Sequence, residues 1–240
     1  MRVVLLSFFN NFFCMRAAQR LAESGLTPRA ICFQGDQVRE SDSRIFGERF
    51  PGAQPVRIVD LVPFQIPTYF SKALNSDEAL ALLRSLEPQI FIQGGGPILT
   101  QNLLDIPTLG TINCHPGLLP KYRGSCCVEW AIYNDDPVGC TAHFVDAGLD
   151  TGPVISRSTL AINPGDTYHD VRRKIFDLQI ESLVQAVKKV SDGFGIKDAE
   201  QQPDGSCWKT ADQSVMQQVQ QKLLDRKYRC YTTDPQAALL

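Results

Sequence analysis

Apolar and polar positions alternate along this chain in short blocks whose period changes repeatedly. Arg-Val-Val-Leu-Leu-Ser at residues 2–7 is a continuous apolar run, the pattern of a strand buried on both faces. Residues 12–24 change to helical spacing, and Gly25 suits the position just past a helix end. Residues 29–33 predict a second strand, so the chain opens strand–helix–strand. Further on, 77–86 predicts a helix capped by Asn75 or Ser76, and 89–93 predicts a strand. Strands are also expected at 108–113, 141–145 and 154–162, with a helix at 126–133 that places Trp130 in the core. A long helix should start after Asp166 or Thr167 and reach Val190, with Phe176, Ile180, Leu183, Val187 and Val190 as its apolar stripe. Residues 34–75 give a weak pattern, with a short strand candidate at 56–59 and a solvated helix face or loop at 39–44. The fold class that follows is α/β, a doubly wound, mostly parallel sheet. Residues 1–195 are expected to form that unit. Residues 196–240, with a helix expected at 213–224, form a short C-terminal appendage.

Composition narrows the partners. Of 240 residues, 43% are hydrophobic and 21% charged, and the formal net charge is −2. That balance gives no electrostatic footprint for nucleic acid or an anionic membrane. The N-terminal apolar run is short and closes at Asn10 and Asn11, which favours a first strand over a signal peptide. Eight cysteines show neither C-x-x-C nor zinc-ligand spacing, so reduced thiols in a cytoplasmic protein and no bound metal are expected.

The chemistry concentrates in residues 111–155. The strand ending Thr-Ile-Asn-Cys-His turns Asn113 and His115 to one face and Cys114 to the other, because strand side chains alternate. Pro116 and Gly117 stop it. An amide that can stabilise an oxyanion and an imidazole that can carry a proton therefore stand together where a strand opens into a loop. Open α/β sheets bind ligands at such edges. Leu149-Asp150-Thr151-Gly152 adds a carboxylate on a turn, where it could orient an imidazole. Taken alone, Asn-x-His also reads as a satisfied polar pair at a strand end. His143, on a strand, reads as a packed histidine.

Asn113-Cys114-His115-Pro116-Gly117-Leu118-Leu119-Pro120-Lys121-Tyr122-Arg123-Gly124 resembles the signature of the folate-dependent formyltransferases. Gly139–Val145 and Leu149-Asp150-Thr151-Gly152-Pro153-Val154-Ile155 extend the match in order and spacing. The resemblance implies a catalytic trio of Asn113, His115 and Asp150, with 10-formyltetrahydrofolate as co-substrate. It also implies folate contacts at Gly96, Pro97, Ile98 and Leu99, where three glycines end a strand. An opposite wall is implied at Leu118, Leu119 and Pro120, with Val145 and Asp146 beside it.

The acceptor is expected to be a primary amine, either a nucleotide-linked amino sugar or another small amine. Two features point there. The turn Phe8-Phe9-Asn10-Asn11-Phe12-Phe13 holds no glycine, whereas glycinamide ribonucleotide enzymes resemble a Gly-rich phosphate cradle at that place. Residues 196–240 are shorter than the barrel that tRNA formyltransferases carry. Asn10 and Asn11 could contact the substrate, or could simply form a helix cap. The alternatives are a glycinamide ribonucleotide formyltransferase and a folate- or metal-binding protein without catalysis.

Overall fold

The computed structural model describes residues 1–232. Its centre is a seven-stranded sheet. In chain order the elements are β1 (Val3–Phe8), α1 (Phe12–Glu23), β2 (Ala30–Gln34), α2 (Glu40–Arg49), β3 (Thr68–Ser71), α3 (Asp77–Ser85), β4 (Ile90–Gln93), α4 (Gln101–Leu104) and β5 (Thr111–His115). Then come β6 (Arg123–Gly124), α5 (Cys127–Tyr133), β7 (Gly139–Phe144), β8 (Val154–Thr159), α6 (Tyr168–Ser191), β9 (Cys207–Trp208) and α7 (Gln213–Leu224). The sheet order is β3-β2-β1-β4-β5-β7-β8. The first five strands in that order run parallel, and β7 and β8 form an antiparallel edge. The mostly parallel doubly wound sheet read from the sequence is the observed one.

Alternation along the strands explains the two cores. Val3 and Leu5 of β1 share one cluster with α1 and α6, and Val4 and Leu6 share the other with α3 and α4. Ile112 and Cys114 of β5 belong to the α6 side, so Asn113 and His115 take the opposite face. Order reversal between β1 and β4 places the carboxyl ends of β1, β4 and β5 side by side, the usual crevice of such sheets. The loops there are tied together: Phe8 N–H donates to Gly95 O at 3.2 Å, and the Ser7 hydroxyl donates to Gly94 O at 2.7 Å.

Several boundaries differ from the sequence expectation. Strand β5 starts at Thr111 rather than 108, because Gly110 has φ 104°, which breaks an extended run. No strand forms at 56–59. A 3-10 helix covers Ile58–Phe64 instead, with Arg57 N–H donating to Asp60 Oδ2 at 2.8 Å at its start, and the third strand lies later, at Thr68–Ser71. Trp130 is half-buried rather than core, and its indole N–H donates to Lys209 O at 2.8 Å. The expected appendage lies, over residues 196–232, against the sheet unit. Strand β9 pairs with β6, and Val215, Val219 and Leu223 of α7 join the main cluster. Residues 233–240 fall outside the described residues. No described helix is long and apolar enough to cross a membrane.

Candidate active site

Strand β5 carries Asn113 and His115 to its carboxyl end, and antiparallel β7 sets His143 directly opposite Asn113 and Thr141 opposite His115. Opposed residues share a face, so all four converge. The 145–152 loop then returns Asp150 to this face. Asp150 Oδ2 stands 3.4 Å from His115 Nδ1, and its Oδ1 stands 3.7 Å from His143 Nε2. The Asp150 backbone is left-handed, φ 55°, and two contacts hold it. Gly124 N–H donates to Asp150 Oδ2 at 2.9 Å, and Gln202 Nε2 donates to Asp150 O at 3.2 Å.

His115 is more enclosed than a strand-end position suggests. Its ring is 5% exposed, and Nε2 lies 2.8 Å from Tyr122 O. A carbonyl only accepts, so Nε2 carries hydrogen and Nδ1 faces the Asp150 carboxylate. His143 is 2% exposed, its Nδ1 is 2.8 Å from Phe144 O, and its Nε2 has no hydrogen-bond partner. Burial lowers its pKa; Asp150 works against that and His115 adds to it. No local spacing signals that His143 shares Asp150 with His115, since the antiparallel register of β5 and β7 makes that contact.

Two cavities flank the trio. One, about 90 Å³, is lined by Asp150 and His143 with Gln93, Ile98, Leu99, Val145 and Asp146 among its other walls. Of the positions expected to contact folate, Ile98, Leu99, Val145 and Asp146 meet here; Gly96 and Pro97 do not line it. Pro97 holds the loop from behind, accepting Gln93 Nε2 at 2.8 Å through its carbonyl. Asp146 is already engaged, accepting the Thr151 hydroxyl at 2.6 Å and Gly148 N–H at 3.1 Å. Leu118, Leu119 and Pro120 also lie away from this cavity. Leu119 is buried, its N–H donates to Thr141 Oγ1 at 3.1 Å, and its carbonyl accepts Arg157 Nε at 2.7 Å. That segment packs on β7 and β8.

The second cavity, about 230 Å³, is lined by Asn113 together with Asn11, Phe12, Arg49, Arg172 and Gln179. Asn11 is committed as the cap of α1: its Oδ1 accepts Phe13 N–H at 3.0 Å, and its Nδ2 donates to Asp42 at 3.2 Å. Asn10 has φ 51°, and its buried Oδ1 has no partner. Phe12 and Phe176 also line a neighbouring aromatic cleft of about 300 Å³ with Phe46 and Phe50. All eight cysteines are free thiols, and burial pushes Cys14 and Cys32 up to about 12. No His, Cys, Asp and Glu cluster of metal-binding type occurs among the described residues.

The Formyl transferase family pattern matches residues 48–187. This chain belongs to the formyl transferase family. A methionyl-tRNA formyltransferase of Koribacter versatilis is 31% identical over 183 residues, 75% of this chain and 57% of that protein. The chain thus spans little more than half the length of that curated relative. Among solved structures, a phosphoribosylglycinamide formyltransferase from Anaplasma phagocytophilum matches with TM-score 0.64 at 19% identity, covering 87% of this chain and 99% of that one. A sugar N-formyltransferase from Shewanella sp. FDAARGOS_354 matches with TM-score 0.57 at 17% identity, covering 88% and 76%. Those two likenesses speak for the fold.

Proposed function

We propose that this family member transfers a formyl group from 10-formyltetrahydrofolate to a primary amine, with Asn113, His115 and Asp150 as its catalytic trio. The observation that carries this reading is the position of the trio between two cavities, one reached by Asp150 and the other by Asn113. The smaller cavity suits a flat ring with donors and acceptors. Gln93, His143, Asp146 and Asp150 line it beside the apolar Ile98, Leu99 and Val145. Ile98, Leu99 and Val145 would hold the folate there, and its bound form supplies an activated one-carbon unit.

Each residue then has a separable task. The Asn113 amide donates to the formyl oxygen as charge grows on it, an effect worth roughly 3–4 kcal/mol for one such donor. Asp150 touches the donor cavity, and His115 backs it at 3.4 Å. The pair takes the proton lost by the attacking amine and returns one to the folate nitrogen that leaves, while the Tyr122 carbonyl fixes the ring. Positioned proton transfer contributes roughly 10²–10⁴-fold. The acceptor on this reading is a nucleotide-linked amino sugar or another small amine, entering beside Asn113. Methionyl-tRNA, the substrate in the name of the curated relative, is the second reading.

The test is release of tetrahydrofolate from 10-formyltetrahydrofolate by the purified chain across a panel of nucleotide-linked amino sugars, small amines and initiator methionyl-tRNA. Transfer to a sugar or small amine supports the first reading, and efficient transfer to the tRNA alone would replace it. His115→Ala that keeps more than roughly a tenth of wild-type turnover would remove His115 from the trio.

A further inference from the structure

The cavity beside Asn113 has a charge pattern that formyl transfer itself does not require. Two guanidiniums, Arg49 and Arg172, line it, and no carboxylate does. Arg172 is 5% exposed, and its Nε has no hydrogen-bond partner. Its one acidic neighbour is Glu129, 1% exposed, whose Oε1 lies 3.4 Å from Arg172 Nη1 and also accepts the Tyr168 hydroxyl at 2.7 Å. Arg49 takes part in none of the described ion pairs. Burial lowers the Arg172 pKa most, Glu129 opposes that, and Arg49 adds to it, so the two guanidiniums sit close enough to repel. The other nearby carboxylate, Asp42, is matched by Arg39 at 2.6 Å. One buried negative charge thus faces two positive ones. Arg172 is paired with that charge, and half-exposed Arg49 is the excess positive charge, which an anionic ligand would neutralise.

The N-terminal turn of α1 lines the cavity through Phe12 and Phe13, and helix N-termini favour anions. Yet Asn11 already accepts the Phe13 and Cys14 amides, at 3.0 and 3.4 Å, so this turn cannot grip an anion through those groups. Recognition falls to the arginine side chains, whose planar forks suit phosphate and carboxylate.

Resting on the formyl transfer proposed above, we infer that the acceptor carries an oxyanion, a phosphate or a carboxylate, seated between Arg49 and Arg172 close to the amine that is formylated. Arg172, held by Glu129 and Tyr168, is the fixed half of the clamp. Half-exposed Arg49, at the C-terminal end of α2, is the half that meets incoming substrate.

Calorimetric titration of the full chain with inorganic phosphate, and separately with acetate, tests the clamp without turnover. Wild type should bind at least one of them. Arg49→Gln should weaken that binding roughly tenfold, the loss expected for one charge-assisted hydrogen bond, without lowering the melting temperature. Arg49→Lys, which keeps the charge, should retain most of it. Binding of phosphate alone or of acetate alone identifies the group. Binding of neither, or equal binding by Arg49→Gln, overturns the inference. Turnover gives the second arm: phosphoethanolamine against ethanolamine, and β-alanine against propylamine, with 10-formyltetrahydrofolate as donor. The charged member of one pair should show the lower KM, and Arg49→Gln should abolish that advantage, bringing the two KM values of the pair together. Equal KM values within both pairs would also overturn it. No tetrahydrofolate release with any amine would instead count against the formyl transfer reading, and the anion titration would stand apart from that failure.

Discussion

Asp150 joins two requirements in one residue, a left-handed backbone and a carboxylate shared by two imidazoles. Asp150→Asn separates them. Asparagine tolerates φ 55°, and its side-chain oxygen can still accept Gly124 N–H, so the turn should persist. Turnover should fall by about 10²-fold or more with little change in melting temperature, as read by tetrahydrofolate release. Undiminished turnover would make Asp150 a turn former only. Gly117 is the complementary case. A Cβ there would come within 2.6 Å of Tyr122 O and 2.8 Å of His115 Nε2, the two atoms that bond each other. Gly117→Ala should therefore cost about 1–3 kcal/mol in urea denaturation and reduce turnover together. Full stability with full activity would mean that the loop yields freely. His143 adds a pH effect. Its folded pKa lies below the ordinary 6.5, chiefly through burial, so the unfolded chain binds this proton first as pH falls. The stability it contributes is complete above 6.5 and is lost as pH drops through the folded value. Denaturation midpoints from neutral to about pH 5 should fall more steeply for wild type than for His143→Gln. Parallel curves would show that His143 titrates alike in both states.

At the scale of elements, the site depends on α6 lying across the β5–β7 end of the sheet, and Arg172–Glu129–Tyr168 fastens α6 to α5. Glu129→Ala would leave a buried guanidinium unpaired and should cost about 3–5 kcal/mol, measured by urea denaturation. A loss near zero would mean that Arg172 relaxes to solvent. This scale also shows what the sequence could and could not reveal. Strand β1, helix α1 and helix α6 were legible because their apolar spacing matches one period over many residues. Asn113 and His115 were legible as a same-face pair because alternation is local. The third strand was not, since Thr-Tyr-Phe-Ser is short and lies at a half-exposed sheet edge, so its pattern is faint. The burial of His115 beneath Tyr122 O, and the sharing of Asp150 with His143, come from long-range pairing that no local spacing encodes. Leu118–Pro120 illustrates the same limit: the Leu119 backbone is hydrogen-bonded to Thr141 of β7 and Arg157 of β8, outside the lining of the cavity at Asp150.

For the molecule as a whole, residues 196–232 act as part of the site's support. Gln202 grips the Asp150 turn, and Arg123 donates to Pro203 O at 2.9 Å, so the tail closes over the loop that holds His115. Helix α7 covers α5, with Lys222 Nζ donating to Tyr133 O at 2.7 Å. A chain ending at Gly195 would expose the surface that Val215, Val219 and Leu223 cover. It should lose cooperative unfolding and bind hydrophobic dye. A soluble 1–195 fragment with a single sharp transition would make the tail an independent unit.

That closure gives the molecule a built-in optical reporter. The chain has two tryptophans, whose ring centroids lie 4.8 Å apart at a tilt, and Trp208 also stacks on the Tyr122 ring at 5.5 Å. Tyr122 is the residue whose carbonyl holds His115, and Trp208 donates its indole N–H to Lys121 O at 2.9 Å. Nearly all intrinsic emission of the protein thus arises within one aromatic cluster attached to the loop that carries Lys121 and Tyr122. A folate analogue or an amine that shifts the loop should shift that emission, so occupancy can be followed in the unlabelled chain.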